Sequence, residues 1–332
     1  MSKNVGLDLG TNTIISASSS DGEAPTFKIQ RDAFFSITPK TLINRNSIKA
    51  SLDKRGSDYI LTEDNTFLIV GQDALDIAVE RNSVANRPMS RGVISPKEKN
   101  SLPMLKLIIE KLIGSGSIGD KCVYSIPAVP VDTNIDVTYH KEIMGLYLKN
   151  MGFDVEAINE AYAVGISELL DDDLTGIAIS MGSGMCNVCV LYEGDQLIDF
   201  STTKAGDFID IAVGNALDLS PSIVQAEKEA GTDLLNPTTK IMEAVSVYYD
   251  SVLSYTIKSI VYELNRRGKE LPTFRKEIPI VFGGGLSMAT GFKEKVISVL
   301  DNIDLPIKLK EVRVANNPLC VVANGCLLAS QI

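Results

Sequence analysis

The chain has 332 residues, with 32 basic and 42 acidic side chains and a formal net charge of −10. At roughly 100–200 residues per domain, this length predicts about two domains. An acidic chain repels phosphate backbones, and its basic residues are interspersed with acids. Direct nucleic-acid binding is therefore not expected.

The first half of the chain alternates strand and helix patterns. A short buried strand at residues 5–9 ends in a glycine turn and is followed by a second strand at 14–18. Residues 23–71 alternate short apolar runs with polar turns, which predicts a small mixed subdomain. Further along, the patterns predict helices at 72–80, 102–113, 139–151 and 161–170 and strands at 122–126 and 155–158.

The second half repeats the opening pattern. Strands are predicted at 177–182, 188–192 and 197–203, with a glycine turn after the first of them. Helices at 222–231 and 237–268, a strand at 278–282 and a closing helix at 322–330 follow. Two related strand meanders, each followed by helices, predict two similar α/β halves.

The cysteines and the N-terminal segment bear on the cellular compartment. The five cysteines are odd in number and have mostly apolar neighbours, which is typical of reduced thiols in a cytosol. The chain shows no signal-peptide layout, and no apolar run reaches the ~18 residues of a membrane span. We expect a cytoplasmic protein without a membrane span.

Three groups of residues are of types that often bind metals or take part in catalysis, but the sequence favours a structural role for each. Cys186 and Cys189 match a C-x-x-C motif, but residues three apart on a strand point to opposite faces, which predicts core packing. His140, the single histidine, has no partner of metal-ligand type nearby and is expected at the surface or as a helix cap. The triplet at 171–173 is expected to be a solvated acidic loop.

A G-x-G-x-x-G match at residues 114–119 is a misleading motif. A dinucleotide site needs this loop between a strand and a following helix, so that the phosphate meets the helix N-terminus. Here the predicted helix comes before the loop and the predicted strand after it. Asp120 also stands where a P-loop needs lysine. We therefore predict a plain helix-to-strand linker.

Three other glycine turns each follow a predicted strand. Asp8 stands at the end of the first strand and precedes a turn with Gly10, Thr11 and Asn12. Backbone N–H groups in such a turn can hold phosphate oxygens, while the carboxylate holds a cation or its water. Turns at 182–184 and 283–285 have the same placement. Together they favour a nucleotide site.

The ordered set of motifs resembles the superfamily of actin, heat-shock chaperones and sugar kinases. Within it the chain most resembles the bacterial actins MreB and MamK, and the likeness spans nearly the whole chain. The motifs that carry it are Asp8-Leu-Gly-Thr, Ala157-Ile-Asn-Glu160-Ala-Tyr-Ala-Val-Gly-Ile, Gly182-Ser-Gly184, Phe282-Gly-Gly-Gly285 and Asn317-Pro-Leu-Cys-Val-Val-Ala-Asn-Gly325.

The resemblance implies an actin-like fold in which two similar halves, each a β-sheet with helices, enclose a cleft for ATP or ADP with Mg²⁺. It implies catalytic roles for Asp8, which would hold the magnesium-bound water, and for Glu160, which would orient the attacking water. The residues implied to bind the nucleotide are Gly10, Thr11, Asn12, Gly182, Ser183, Gly184, Gly206, Asp207, Lys228, Glu229, Gly283, Gly284, Gly285 and Leu286.

The second phosphate loop departs from the family pattern. Ser180 stands where relatives have an aspartate that helps to hold the metal's water shell, and Met185 replaces a threonine. Losing one preorganised electrostatic group typically costs about 3–4 kcal/mol of transition-state stabilisation. The sequence therefore predicts slow or absent hydrolysis unless another acid substitutes, and Asp207 is the nearest candidate.

The second departure concerns the outer part of the second half. Almost no strand-like sequence lies between Asp207 and Val281, so this outer lobe, at about 211–250, is expected to be reduced. The expected first domain is 1–150, with a small subdomain at about 24–75 and the closing helix 320–332 returning to it. The expected second domain is 151–319.

The leading hypothesis is a prokaryotic actin homologue that binds ATP and polymerises into cytoskeletal filaments, with itself as the main partner and any adaptor or cargo unknown. The alternatives are a nucleotide-binding pseudo-ATPase adaptor that does not polymerise and a small-molecule kinase of the same fold. A chaperone is disfavoured because no substrate-binding region follows the closing helix.

Overall fold

The computed structural model describes residues 2–19, 24–268, 270–274 and 276–331. Glu23, where the predicted subdomain pattern begins, and Ile332, the last residue of the predicted closing helix, lie outside them. The strands are β1 (Asn4–Leu9), β2 (Thr13–Ser19), β3 (Thr26–Arg31), β4 (Phe34–Ile37), β5 (Tyr59–Leu61), β6 (Phe67–Val70), β7 (Met89–Ser90), β8 (Val93–Ile94), β9 (Lys121–Ile126), β10 (Asp154–Asn159), β11 (Gly176–Met181), β12 (Cys186–Tyr192), β13 (Asp195–Thr202), β14 (Ile278–Gly283) and β15 (Leu309–Val314). The helices are α1 (Leu42–Arg55), α2 (Gln72–Glu80), α3 (Ser101–Ile113), α4 (Thr138–Asn150), α5 (Glu160–Glu168), α6 (Gly206–Leu217), α7 (Pro221–Ala230), α8 (Lys240–Arg267), α9 (Phe292–Leu300) and α10 (Val321–Ser330).

Two five-stranded sheets share one topology. The first has the order β10-β9-β1-β2-β3 and the second has the order β13-β12-β11-β14-β15. In each sheet the first strand in the chain pairs antiparallel with the next one and parallel with a later one. This confirms the predicted fold class of two similar α/β halves.

Helices α5 and α10 lie between the two sheets. One buried cluster contains Val123 of the first sheet and Val281 of the second, together with Val164 of α5 and Cys326 of α10. The two helices also approach each other closely, because a Cβ atom added at Gly325 would lie 1.9 Å from the carbonyl oxygen of Ala163. Backbone contact at this point joins the two halves behind the cleft.

A small three-stranded sheet, β4-β6-β5, forms part of the first half. The sequence predicted a small mixed subdomain at 23–71 but missed the helix α1 that begins at Leu42. Thr41 caps this helix, since its side-chain oxygen accepts a hydrogen bond from the Asn44 amide at 3.1 Å. Only Ile48 and Leu52 of α1 are buried, so its apolar periodicity was too weak to show.

The outer part of the second half is helical. Among the described residues from 203 to 277, the elements are α6, α7 and α8, with no strand, as the lack of strand-like sequence there predicted. The long helix begins at Lys240, not at Pro237 as predicted, because Thr239 caps it through a hydrogen bond from the Met242 amide at 3.2 Å. In the described part of the chain no helix combines the length and apolar character that crossing a membrane requires.

One local expectation was wrong, one held for two of its three residues, and two were confirmed. His140 is buried, at 1% exposure, and not at the surface; burial lowers its pKa to about 4. In the acidic triplet, Asp171 and Asp173 are exposed as expected, whereas the Asp172 carboxylate pairs with Lys310 at 2.7 Å and Arg313 at 2.9 Å. The glycine-rich loop at 114–119 connects α3 to β9 as predicted. All five cysteines are buried free thiols.

Candidate functional site

A cleft of about 560 Å³ lies between the two sheets, where their loops meet. This volume falls within the range of roughly 300–1,000 Å³ typical of small-molecule pockets. The glycine turns after β1, β11 and β14 all line it. The sequence-predicted site residues that line the cleft are Asp8, Gly10, Thr11, Asn12, Glu160, Gly182, Ser183, Gly184, Gly206, Lys228, Glu229, Gly284, Gly285 and Leu286.

Asp207 and Gly283 are not among the lining residues. Gly283 ends β14 and packs against the helices behind the sheet, where an added Cβ would lie 2.4 Å from the Val321 side chain. The Asp207 carboxylate accepts two hydrogen bonds from Arg87, at 2.9 and 3.1 Å. The suggestion that Asp207 replaces the missing acid is therefore not supported, because its carboxylate is held by Arg87 and does not line the cleft.

Two carboxylates, the half-buried Asp8 and the buried Glu160, line the cleft beside the first glycine turns. The Asp8 carboxylate accepts a hydrogen bond from the Ser125 hydroxyl at 2.9 Å. Burial raises the pKa of Asp8 to about 6, although the Ser125 hydrogen bond opposes the rise. Burial and then the nearby charge of Asp8 raise the pKa of Glu160 to about 8. When both carboxylates are ionised, their negative charges repel each other, and a cation bound between them would reduce that repulsion.

Glu160 begins helix α5 and is held by two polar side chains. Its Oε2 atom accepts hydrogen bonds from the Asn187 amide at 2.8 Å and from the Ser180 hydroxyl at 3.4 Å. The helix is capped by Asn159, whose side-chain oxygen accepts from the Ala161 amide at 2.7 Å. Since another residue caps the helix, the Glu160 carboxylate is available to the cleft.

The first two glycine turns contact each other through the hairpin formed by β7 and β8. The backbone amide of Gly92, at the hairpin tip, donates to the Thr11 hydroxyl at 2.9 Å. A Cβ atom added at Gly184 would lie 2.3 Å from that hydroxyl oxygen. The hairpin is anchored by Asp32, whose carboxylate accepts a hydrogen bond from the Met89 amide at 2.8 Å. The hairpin tip therefore lies where both turns meet.

Helix α7 closes the cleft from the second half. Lys228 donates to the Asp210 carboxylate at 2.6 Å and to the Gly206 carbonyl oxygen at 3.1 Å. Glu229 forms an ion pair with Arg31 of β3 and accepts a hydrogen bond from the Asn12 amide at 3.1 Å. Lys228 is thus held within the second half, whereas Glu229 joins the second half to the first.

The opposite end of the cleft is apolar and contains free space. Leu286, Met288 and Ala289 line it together with the turn at 284–285. The Tyr249 hydroxyl donates to the Leu286 carbonyl oxygen at 3.3 Å, which fixes the short 3₁₀ turn that follows β14. An added Cβ at Gly285 would meet no atom within 4 Å. The lining is apolar and leaves open space beside Gly285.

Sequence reasoning missed several polar residues of this region. Ser125, Asn187, Gln225 and Arg31 form the hydrogen bonds described above or support them, and none belongs to the motifs that carry the resemblance. Of these four residues, only Asn187 could have been suspected from the local sequence, because it is a lone amide inside an apolar strand. A buried polar side chain needs a hydrogen-bond partner, so such an amide indicates a polar contact between the strand and a neighbouring segment.

Comparisons with known proteins place the fold. The structure resembles a MamK double-helical filament (TM-score 0.69, 18% identity, covering 99% of this chain and 98% of that chain). It also resembles MreB5 of Spiroplasma citri bound to AMPPNP (0.67, 16%, 98% and 95%). A third likeness is to the ethanolamine utilization protein EutJ from Carboxydothermus hydrogenoformans (0.56, 16%, 99% and 90%). These likenesses confirm the actin-like fold.

Sequence comparison adds a family. A family profile described as Volactin matches residues 3–330. No curated protein sequence matches the chain.

Proposed function

The chain belongs to the Volactin family, and we propose that it is an actin-like protein that binds ATP in its cleft and assembles with further copies of itself. One observation carries the nucleotide part of this proposal. Three glycine turns and two carboxylates, far apart in sequence, line one cleft of about 560 Å³. Such turns suit phosphate oxygens, and the apolar end beside Gly285 suits a base.

The two carboxylates of the cleft suit a magnesium ion that binds together with the nucleotide's phosphates. Among the described residues, no group of three acidic, histidine or cysteine side chains could hold a metal alone. Magnesium, however, usually binds one or two carboxylates together with phosphates and water. Asp8 would hold it through water, with Glu160 beside it. The ion would neutralise phosphate charge as the terminal phosphate leaves.

The proposed hydrolysis is slow. Ser180 is a neutral ligand, and Asp207, the acid nearest by sequence motif, pairs with Arg87. The other acid that lines this side, Asp210, pairs with Lys228 at 2.6 Å. Apart from Asp8 and Glu160, the acids that line the described part of the cleft, Asp210 and Glu229, are therefore ion-paired, which favours a nucleotide-binding protein with weak ATPase activity.

Assembly is proposed by analogy with relatives. The structure of MamK was determined as a double-helical filament, and MreB5 of Spiroplasma citri was crystallised with AMPPNP and with ADP. We propose the same combination of nucleotide binding and self-assembly here, in the cytoplasm, with residues 1–150 and 151–319 as the two domains. The competing candidate is a monomeric adaptor, which Ser180 favours because weak hydrolysis suits a static nucleotide complex.

Nucleotide binding is tested by filling the free space at Gly285. Gly285→Val is expected to raise the dissociation constant for Mg-ATP at least about tenfold, or about 1.4 kcal/mol, because its branched side chain occupies the base end of the cleft. Gly285→Ala, the matched control, is expected to have a smaller effect. Isothermal titration calorimetry measures both, and melting temperatures equal to that of the wild type establish folding. Equal Mg-ATP affinity in all three proteins would contradict binding at this end.

A further inference from the structure

Asn187 is a fully buried amide that contacts the cleft on one side and a crossing segment on the other. It lies on β12, with 0% of its surface exposed. Its Nδ2 atom donates to the Glu160 carboxylate at 2.8 Å, and its Oδ1 atom accepts from the Ala128 backbone amide at 2.9 Å. The Ala128 backbone N–H can only donate, so it holds the Oδ1 atom on its own side. The Nδ2 atom therefore faces Glu160.

The segment on the far side, residues 128–132, crosses from the first half to the second; we call it the bridging segment. It follows β9 of the first sheet but is hydrogen-bonded to the end of β13 in the second sheet. The Val131 amide donates to the Ser201 carbonyl oxygen at 2.9 Å, and the Ser201 amide donates to the Val129 carbonyl oxygen at 3.1 Å. Its end is held by Asp132, which accepts from the Thr203 amide at 2.9 Å.

The bridging segment also reaches the surface. Val129 and Val131 are 64% and 50% exposed, while Pro130 between them is buried. A second hydrogen bond holds the same residue that Asn187 holds, since the Ser201 hydroxyl donates to the Ala128 carbonyl oxygen at 2.8 Å. Ala128 is thus fixed on both sides, and only the Asn187 side continues to Glu160.

We propose that Asn187 is a positioning residue that orients the Glu160 carboxylate for hydrolysis and couples it to the bridging segment. This inference rests on the proposed function, in which Glu160 faces the terminal phosphate of ATP. In hydrolysis the water oxygen bonds to the γ-phosphorus, the bond from that phosphorus to the β–γ bridging oxygen breaks, and ADP leaves with its electron pair. Glu160 accepts the proton of the water when its carboxylate is ionised. Asn187 holds the carboxylate where that proton is released.

Asn187→Asp tests the positioning role with an isosteric side chain. The aspartate retains an oxygen for the Ala128 amide but replaces the donor to Glu160 with a like charge. Misplacing a reacting group by about 1 Å can cost on the order of a hundredfold in rate. We therefore expect phosphate release from Mg-ATP to slow about tenfold to a hundredfold, while the dissociation constant for Mg-ATP stays within about twofold of the wild-type value.

Ser201→Ala is the matched control, because it removes the other side-chain hydrogen bond to Ala128 without touching Glu160. It is expected to leave phosphate release unchanged. Equal slowing by both variants would show that Asn187 only supports the bridging segment, and wild-type rates in Asn187→Asp would also overturn the proposal. Failure of the wild type to bind Mg-ATP would be seen separately in the affinity measurement, and it would remove the proposed function together with this inference.

A second readout does not depend on turnover. Hydrogen exchange of the bridging segment is measured by mass spectrometry with AMPPNP and with ADP bound. In the wild type and in Ser201→Ala, the bridging segment is expected to exchange at different rates with AMPPNP and with ADP, because the terminal phosphate contacts Glu160 only in the AMPPNP state. Asn187→Asp is expected to lose this difference. Identical exchange in both states of the wild type would overturn the coupling.

Discussion

Gly325→Ala is expected to destabilise the protein by about 3 kcal/mol or more, near the upper end of overpacking effects. The added methyl carbon would lie 1.9 Å from the Ala163 carbonyl oxygen and 2.5 Å from the Ala163 carbonyl carbon. Both atoms belong to the backbone of α5, so no side-chain rotation can relieve the clash. Helices α5 and α10 would have to separate, and the contact that joins the two halves would loosen.

Urea denaturation measures this change in the free energy of unfolding. Gly285→Ala is the control for the loss of a glycine, because an added Cβ there meets nothing within 4 Å. It is expected to change stability by less than about 1 kcal/mol, since glycine replacements without strain act mainly on the unfolded chain. A Gly325→Ala protein as stable as this control would show that α5 and α10 are not in backbone contact.

Ser180→Asp is expected to accelerate phosphate release from Mg-ATP by up to about a hundredfold, the typical gain from one preorganised electrostatic group. Ser180 is buried, and its hydroxyl lies 3.4 Å from the Glu160 carboxylate. An aspartate here would add a negative charge beside two carboxylates whose pKa values burial already raises. Without a cation, the variant should therefore be less stable than the wild type.

Magnesium and ATP together are expected to restore the stability of Ser180→Asp, because the ion neutralises the added charge. Thermal denaturation with and without Mg-ATP measures the recovery, and a coupled phosphate assay measures the rate. Ser180→Ala, which adds no charge, is expected to hydrolyse no faster than the wild type. If Ser180→Asp binds Mg-ATP as tightly as the wild type but releases phosphate no faster, Ser180 is not the cause of slow hydrolysis.

The strand framework and the glycine turns could be predicted because they depend on local patterns. Buried strands read as apolar runs, and the turns after β1, β11 and β14 interrupt them with glycine. The order of these motifs was enough to predict an actin-like fold, which the structural likenesses confirm. The edge strand β15 of the second sheet was not predicted, because Lys310, Glu311 and Arg313 interrupt its apolar pattern.

What the sequence did not reveal depends on contacts between distant residues. Arg31 and Glu229 are far apart in the chain, yet they form an ion pair across the cleft. Asp172 is removed from solvent by Lys310 and Arg313, which approach it only in the folded sheet. His140 occurs in a polar stretch, and only the packing of its helix buries it. The local spacing of apolar and polar residues does not indicate these contacts between distant parts of the chain.

The roles of the individual cleft residues stay predictions. The structure shows that Asp8 and Glu160 share one cleft with the glycine turns, while Asp207 pairs with Arg87. Motif order predicted which segments meet there. It could not predict which carboxylates are already paired, because that depends on the arginine and lysine side chains that surround them.

The most direct test of the account is 90° light scattering recorded together with phosphate release, with and without ATP and magnesium. The account predicts that scattering rises with nucleotide above a critical concentration, that negative-stain micrographs show filaments, and that phosphate appears slowly. Binding of Mg-ATP without a rise in scattering and without filaments at any protein concentration would contradict the proposed assembly and favour the monomeric adaptor.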